Sequence, residues 1–241
     1  MIGSLIRSVM SRFLLILFIL VSLPFLILFL LIPRNYLLKS KFFFWCEHLF
    51  HRFVFKTAWV PITFKGTENM ISEPAIYVGN HQSSADIPLA GYLMNKHPHV
   101  WMSWAELKKS PLLRFVLPKV SILVDMSTST SGMRSIRQAI SLLQQLPVHV
   151  IIFPEGGRFN DGTVHKFYKG FSLIAKKTGR PVVPFYIEGV SKVYPPGSFI
   201  VRYHPITVTV GQPMRIQEQE TDQEFTDRVH QWFVAQSKGS A

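Results

Sequence analysis

The sequence is short of several things at once. It has one cysteine, Cys46, in 241 residues, so an internal disulfide is excluded. Cys46 lies in the aromatic stretch FFFWCEHLF, where it reads as a packing or interfacial residue rather than a nucleophile. Charged residues are scarce at 17%, and acidic ones scarcer: 14 Asp and Glu stand against 26 Lys and Arg, a formal net charge of +12. That imbalance points to an anionic partner, either nucleic acid or a membrane surface with anionic headgroups. The basic residues are dispersed and the usual nucleic-acid motifs are missing, which favours the membrane. No internal repeat, low-complexity tract or long linker divides the chain. A G-x-S-x-G motif is also missing, so neither Ser83 nor Ser84 has the setting of a serine nucleophile.

What is present is apolar. Hydrophobic residues make up 48% of the chain and Phe occurs 20 times, a richness that points toward lipid. Residues 13–32, FLLILFILVSLPFLILFLLI, form an uncharged run of about the length that crosses a bilayer. Arg7 and Arg12 flank it on one side; Arg34, Lys39 and Lys41 flank it on the other. The run is too long for a cleaved signal peptide, and no small-residue cleavage site follows it. Pro24, in its middle, allows a kinked, re-entrant or half-inserted geometry. Positive charge is somewhat heavier after the run, which favours a cytoplasmic C-terminal domain. In residues 40–60, aromatics alternate with Lys41, His48, His51, Arg52 and Lys56. This is the pattern of an interfacial helix whose basic side chains reach lipid phosphate, with a core helix as the competing reading. Residues 1–60 therefore read as membrane anchor and interfacial helices, and residues 61–241 as a separate α/β domain.

Within 61–241 short Val- and Ile-rich runs alternate with amphipathic segments. The runs at 75–80, 99–104, 121–126, 148–153, 181–189, 198–204 and 206–211 are expected as strands. Residues 131–146 place Met133, Ile136, Ile140 and Leu143 on one helical face. Residues 169–179 end in a Lys-rich turn and a glycine, the usual helix stop. Residues 221–236 open with Thr221 and Glu224 in capping-box spacing and offer Phe225, Val229, Trp232 and Phe233 to a core. This alternation predicts one mixed-sheet α/β domain flanked by helices, preceded by the hydrophobic helix and the interfacial helix.

Two stretches carry chemistry. In NHQSSAD, His81 and Asp86 lie five residues apart. On one helix they would point about 140° apart and never meet. They meet if His81 is in the loop after a strand and Asp86 opens the next helix, where the helix dipole favours the carboxylate. Asp86 then holds one ring nitrogen and leaves the other as a base near neutral pH. The bland reading is a helix N-terminus capped by Ser83 or Ser84. In FPEGGRFNDG, Gly156 and Gly157 let the backbone approach a ligand, and Arg158 can bind phosphate bidentately. Glu155 can orient a substrate hydroxyl or pair with Arg158. Here the bland reading is a strand-to-loop turn with a surface arginine.

Taken in order, Asn80-His81-x4-Asp86 and Phe153-Pro154-Glu155-Gly156-x-Arg158 resemble the paired motifs of the glycerolipid acyltransferase family, which includes the 1-acylglycerol-3-phosphate acyltransferases. AELKKSP (105–111) and KGFSLIAKKTGRPVVPFYIEG (169–189) are similar to further family segments, so the likeness runs over about residues 75–190. The resemblance implies transfer of an acyl chain from acyl-CoA or acyl-carrier protein to a lysolipid hydroxyl, lysophosphatidate first, giving phosphatidate. It implies His81 as general base, Asp86 as stabiliser of the imidazolium, and Asn80 with nearby backbone N–H groups holding the loop or the oxyanion. It places Glu155, Gly156 and Arg158, with Lys166, at the glycerol phosphate. Neither a covalent acyl-enzyme, a cofactor nor a metal is expected, and membrane lipids are the partners. A bacterial inner membrane, with the domain on its cytoplasmic side, suits so compact a chain.

Three positions depart from the family pattern. Met126 stands where an arginine is common, Trp104 where a lysine is common, and Gly157 where a threonine is usual. Arg134, Arg137, Lys166 and Lys169 are the candidates to replace the missing charge. Another lysophospholipid or a lyso-aminolipid is therefore the rival acceptor. From other classes, a serine hydrolase and a non-catalytic binder of anionic membranes remain as alternatives.

Overall fold

In the computed structural model, which describes residues 2–111 and 113–239, the chain opens with three helices, α1 (Ile2–Leu31), α2 (Arg34–Leu37) and α3 (Lys41–Lys56). Then follow β1 (Ile62–Lys65), β2 (Ile76–Gly79), α4 (Asp86–Leu93), β3 (His99–Trp104), α5 (Leu113–Val120), β4 (Ser121–Val124), α6 (Ser129–Gln145) and β5 (His149–Ile152). The chain ends with α7 (Gly170–Thr178), β6 (Val182–Glu188), α8 (Val190–Val193), β7 (Ile206–Val210) and α9 (Asp222–Lys238). The strands form one sheet in the order β1-β7-β6-β2-β5-β3-β4. Every pairing is parallel except β6 with β7, so the sheet is mixed.

The central strands have no polar alternation because both faces of the sheet are covered. On one face Ile76, Val78, Val150 and Ile152 pack against Leu143 of α6, Phe171 of α7 and Phe225 of α9. On the other face Tyr77, Ile151, Val183 and Phe185 pack against Phe55 of α3 and Leu89 of α4. Successive strand residues point to opposite faces, so each strand serves both cores. Phe29, Leu37, Leu38, Phe43 and Phe44 belong to the first core as well. Helices α2 and α3 thus pack into the same two cores as the strands that follow them.

Two sequence expectations are corrected. Residues 198–204 form no strand. Their donors are used elsewhere: the Val201 N–H goes to Ser8 Oγ of α1 at 2.8 Å, and the Arg202 N–H goes to Val193 O at 3.0 Å. On α6 the fully buried stripe is Ser135, Ala139 and Leu143, while Met133 is exposed and Ile136 and Ile140 are half-buried. Small side chains let the helix approach the sheet, so the seam is rotated from the one the large apolar residues suggest. The edge strand β1 was not anticipated; four alternating residues make a weak signal. The capping box at Thr221 and Glu224 is present on α9.

Helix α1 lies along the domain. Phe18 stacks on Phe53 with ring centroids 4.3 Å apart, and Phe29 meets Phe43 edge-on at 5.1 Å. Near its start, Ser11 Oγ and Thr57 Oγ1 are 3.0 Å apart, and Arg12 donates to Phe199 O at 2.6 Å. Past its end, Lys119 donates to Ile32 O at 2.7 Å and Arg34 to Ser121 O at 2.9 Å. Both ends are thus tied to the same α/β body. Its outward face, including Phe13, Leu17, Leu20, Val21 and Leu31, is exposed.

Candidate active site

Strands β5, β2 and β6 are adjacent and parallel, so their C-terminal ends open at one edge of the sheet. Ligand sites in α/β sheets form at such edges. The loop after β2 carries NHQSSAD, the loop after β5 carries EGGR, and the segment after β6 closes over both.

His81 is in the first loop and Asp86 is the first residue of α4. His81 Nδ1 lies 2.7 Å from Asp86 Oδ2. The same oxygen accepts the backbone N–H of Gln82 at 2.6 Å and of Ser83 at 2.7 Å. The carboxylate thus holds the loop before α4 by its backbone and orients the imidazole at the same time. Asp86 is completely buried, and its Oδ1 has no hydrogen-bond partner among the described residues. A carboxylate accepts, so Nδ1 donates and Nε2 keeps a lone pair. The imidazole ring stacks on Phe153, centroids 4.4 Å apart and planes 16° apart, and its side chain stays 15% exposed.

The serine readings fare differently. Ser83 is buried and donates to Tyr194 O at 3.0 Å, tying the His81 loop to the segment after β6. Ser84 is exposed. Neither side chain caps α4. Among the described residues, no serine hydroxyl is hydrogen-bonded to His81, so the serine-hydrolase reading lacks its nucleophile contact.

Glu155 has a role the sequence did not disclose. One carboxylate oxygen accepts the His81 N–H at 3.0 Å, and the other accepts the His165 N–H at 3.2 Å. It makes no ion pair with Arg158 among the described residues, and it is buried. Burial pushes its carboxyl above the usual carboxylate range. Glu155 thus staples the loop after β2 to the loop after β5. The loops are also joined by the Phe159 N–H, which donates to His81 O at 2.8 Å.

Asn80 holds the loop, one of the two roles expected of it. Its Nδ2 donates to Ile187 O at 2.9 Å and its Oδ1 accepts the Ile187 N–H at 2.7 Å. The buried amide continues the β2–β6 ladder past the strand end. The N–H groups of His81, Gln82 and Ser83 are bonded to carboxylates, which leaves none of these three for an oxyanion. Gly156 is needed for its turn: φ is +64°, and an added Cβ would lie 2.5 Å from the Tyr168 ring.

Arg158 is exposed at a pocket of about 470 Å³ lined by Ser84, Arg12, Tyr194 and the 195–198 turn. Lys166 is elsewhere. It lines a separate groove with Val164, Thr226 and Asp227, and not the pocket that Arg158 lines. Arg134, Arg137 and Lys169 do not line the Arg158 pocket either. Trp104 and Met126, at or just past the ends of β3 and β4, are 49% and 53% exposed and bring no charge. A second His–Asp pair, His165 Nε2 to Asp161 Oδ2 at 2.7 Å, lies on the surface of the loop after β5. The residues sequence reasoning missed at the pocket are Arg12 and the 194–198 segment. The first was visible only as a flank of an apolar run, and the second only as a Pro-Pro-Gly turn.

The acyltransferase family model matches residues 61–188. The 1-acyl-sn-glycerol-3-phosphate acyltransferase of Cocos nucifera is 32% identical over 178 residues, covering 72% of this chain and 57% of that protein. The protein of the same name from Limnanthes alba is 29% identical over 180 residues, covering 73% of this chain and 63% of that protein. The match thus spans less than two thirds of the length of either plant relative. Among solved structures, the 1-acyl-sn-glycerophosphate (LPA) acyltransferase PlsC from Thermotoga maritima superposes with a TM-score of 0.80 at 25% identity, covering 99% of this chain and 97% of that one. The family match takes in more than half of the chain, including both motifs, and this chain belongs to the acyltransferase family.

Proposed function

We propose that the protein is a membrane-bound O-acyltransferase that moves a fatty acyl group from an acyl thioester to the free hydroxyl of 1-acyl-sn-glycerol 3-phosphate, giving phosphatidate. The observation that carries this reading is the 2.7 Å contact between His81 Nδ1 and Asp86 Oδ2, which leaves Nε2 as a base with one open edge. His81 Nε2 takes the proton of the acceptor hydroxyl as its oxygen attacks the thioester carbonyl. The C–O bond forms, the C–S bond breaks, and the imidazolium returns its proton to the leaving thiolate. Asp86 stabilises the imidazolium while it exists. Arg158 binds the acceptor phosphate through its guanidinium. The names of the plant relatives and of the Thermotoga structure support lysophosphatidate as acceptor.

The geometry of α1 supports a helix lying in one face of the membrane. At 30 residues it is about 45 Å long, and both of its ends are tied to one body, so it need not cross the bilayer. Its outward apolar face and the exposed Phe42 and Trp45 of α3 suit the headgroup boundary. The catalytic body then faces the cytoplasm, where acyl-CoA and acyl-carrier protein are found, and a bacterial inner membrane is the setting we infer. A second reading keeps the chemistry and changes the headgroup; uncharged Trp104 and Met126, at or just past the C-terminal ends of β3 and β4, favour it.

The test is acyl transfer by membranes carrying the protein, with acyl-CoA and then acyl-carrier protein as donor, to a panel of lysolipids. Lysophosphatidate is expected to be the best acceptor. Preference for another lysolipid would shift the assignment to the second reading, and no transfer with either donor would end both.

A further inference from the structure

The pocket beside the catalytic loop has two cationic walls, and one of them belongs to the apolar N-terminal helix. Arg158 comes from the loop after β5 and Arg12 from α1; between them lie Ser84, Tyr194 and Ser198 in a space of about 470 Å³. Neither guanidinium has a carboxylate partner among the described residues. Two unpaired arginines at one concave site leave an uncompensated charge that an anion can answer.

Arg12 is held for such a task. It sits immediately before the uncharged run that begins at residue 13. Its side chain reaches from α1 to the segment after α8, stacks over the Phe199 ring at 4.2 Å and donates to Phe199 O at 2.6 Å. Its Nε is buried and has no hydrogen-bond partner among the described residues. The pocket is also tied to the catalytic loop on both sides. Ser83, next to Ser84, donates to Tyr194 O at 3.0 Å, and Phe159, next to Arg158, donates its N–H to His81 O at 2.8 Å.

Resting on the lysophosphatidate reading above, we propose that Arg12 of α1 and Arg158 together form the subsite for the phosphate monoester of the acceptor. The apolar helix then does more than hold the enzyme at a surface: it supplies half of the headgroup site at the depth where lipid phosphates lie. A planar guanidinium on each side binds a dianionic phosphate through its oxygens, and a monoacylglycerol offers nothing in return.

The experiment uses the full chain in vesicles with acyl-CoA as donor. Acceptor titrations with lysophosphatidate and with monoacylglycerol are compared for the wild type, Arg12→Gln and Arg12→Lys. Vesicle co-sedimentation and the thermal unfolding midpoint establish that the variants dock and fold. We expect Arg12→Gln to raise KM for lysophosphatidate about ten- to a hundredfold with kcat nearly kept, the range for losing bonds to a charged group. Arg12→Lys should recover part of that loss, and any activity on monoacylglycerol should be unchanged. An unchanged KM in a folded, docked Arg12→Gln overturns the subsite while leaving the acyltransferase reading in place. An equal loss on both acceptors also overturns it, since that marks a structural role. No wild-type transfer to lysophosphatidate overturns the functional reading and the subsite with it.

Discussion

Glu155 accepts the backbone N–H of His81 at 3.0 Å, so the glutamate of the second motif holds the histidine of the first by its main chain. Its other oxygen accepts the His165 N–H. Glutamine in its place keeps one acceptor and loses the other. Glu155→Gln should therefore lower kcat by about tenfold or more, because a small misplacement of the base is costly, while KM for the lysolipid stays within a few-fold. Steady-state kinetics separates the two; a rise in KM alone would return Glu155 to substrate binding.

Asp86→Asn tests the other half of the pair. Asp86 Oδ2 accepts from His81, Gln82 and Ser83, and an amide cannot match a carboxylate as acceptor for all of them. The expected result is a loss of kcat of about a hundredfold, together with a lower unfolding midpoint from the weakened hydrogen bonding of the loop before α4. Wild-type activity in Asp86→Asn would remove the imidazolium-stabilising role.

The lie of α1 can be read by labelling. An added Cβ at Gly3 meets nothing within 4 Å, and Tyr36 beyond the other end is 73% exposed. In a Cys46→Ser background, Gly3→Cys and Tyr36→Cys should both react with a membrane-impermeant maleimide offered from the side of the catalytic body. A spanning helix would let only one of them react from that side.

Acid should weaken the fold. Burial holds the His149 imidazole down at about 3, and its Nδ1 accepts the Ala75 N–H at 3.1 Å, which requires that nitrogen to be unprotonated. Repulsion from Arg180, and from His97 and His99 when they are protonated, adds to the effect of burial. The unfolded chain binds this proton near the ordinary 6.5 and the folded chain does not until about 3. The contribution is therefore fully present above pH 6.5 and declines as pH falls toward 3, by about 1.4 kcal/mol per pH unit. Burial also lowers His48 and His99, which act in the same direction. Unfolding midpoints should fall between pH 7.5 and 5.5, and His149→Asn, which keeps an acceptor, should flatten the slope. A pH-independent midpoint would contradict this.

What could be read from the sequence was local. His81 and Asp86 are five residues apart, so a strand–loop–helix context was enough to bring them together. The central strands were legible because two covered faces leave the near-continuous apolar runs IYVG and VII, with no alternation of polar residues. Partners far apart in the chain were not legible. Asn80 meets Ile187, 107 residues away, and Glu155 meets His81, 74 residues away. Both residues are polar and near the site, and motif reasoning alone does not show which backbone groups take up their hydrogen bonds. The run at 198–204 misled for a related reason: its apolar side chains resemble a strand, yet its N–H groups are bonded to α1 and α8. Arg12 illustrates the same limit, since nothing near it in sequence points to Arg158.

The most direct test of the central claim is thiol release from acyl-CoA by the purified protein in vesicles, with and without lysophosphatidate, for the wild type and His81→Ala. Release should depend on the acceptor, match phosphatidate formed, and fall about a hundredfold or more in the variant. Release without acceptor, or a His81→Ala variant as active as the wild type, would contradict the account.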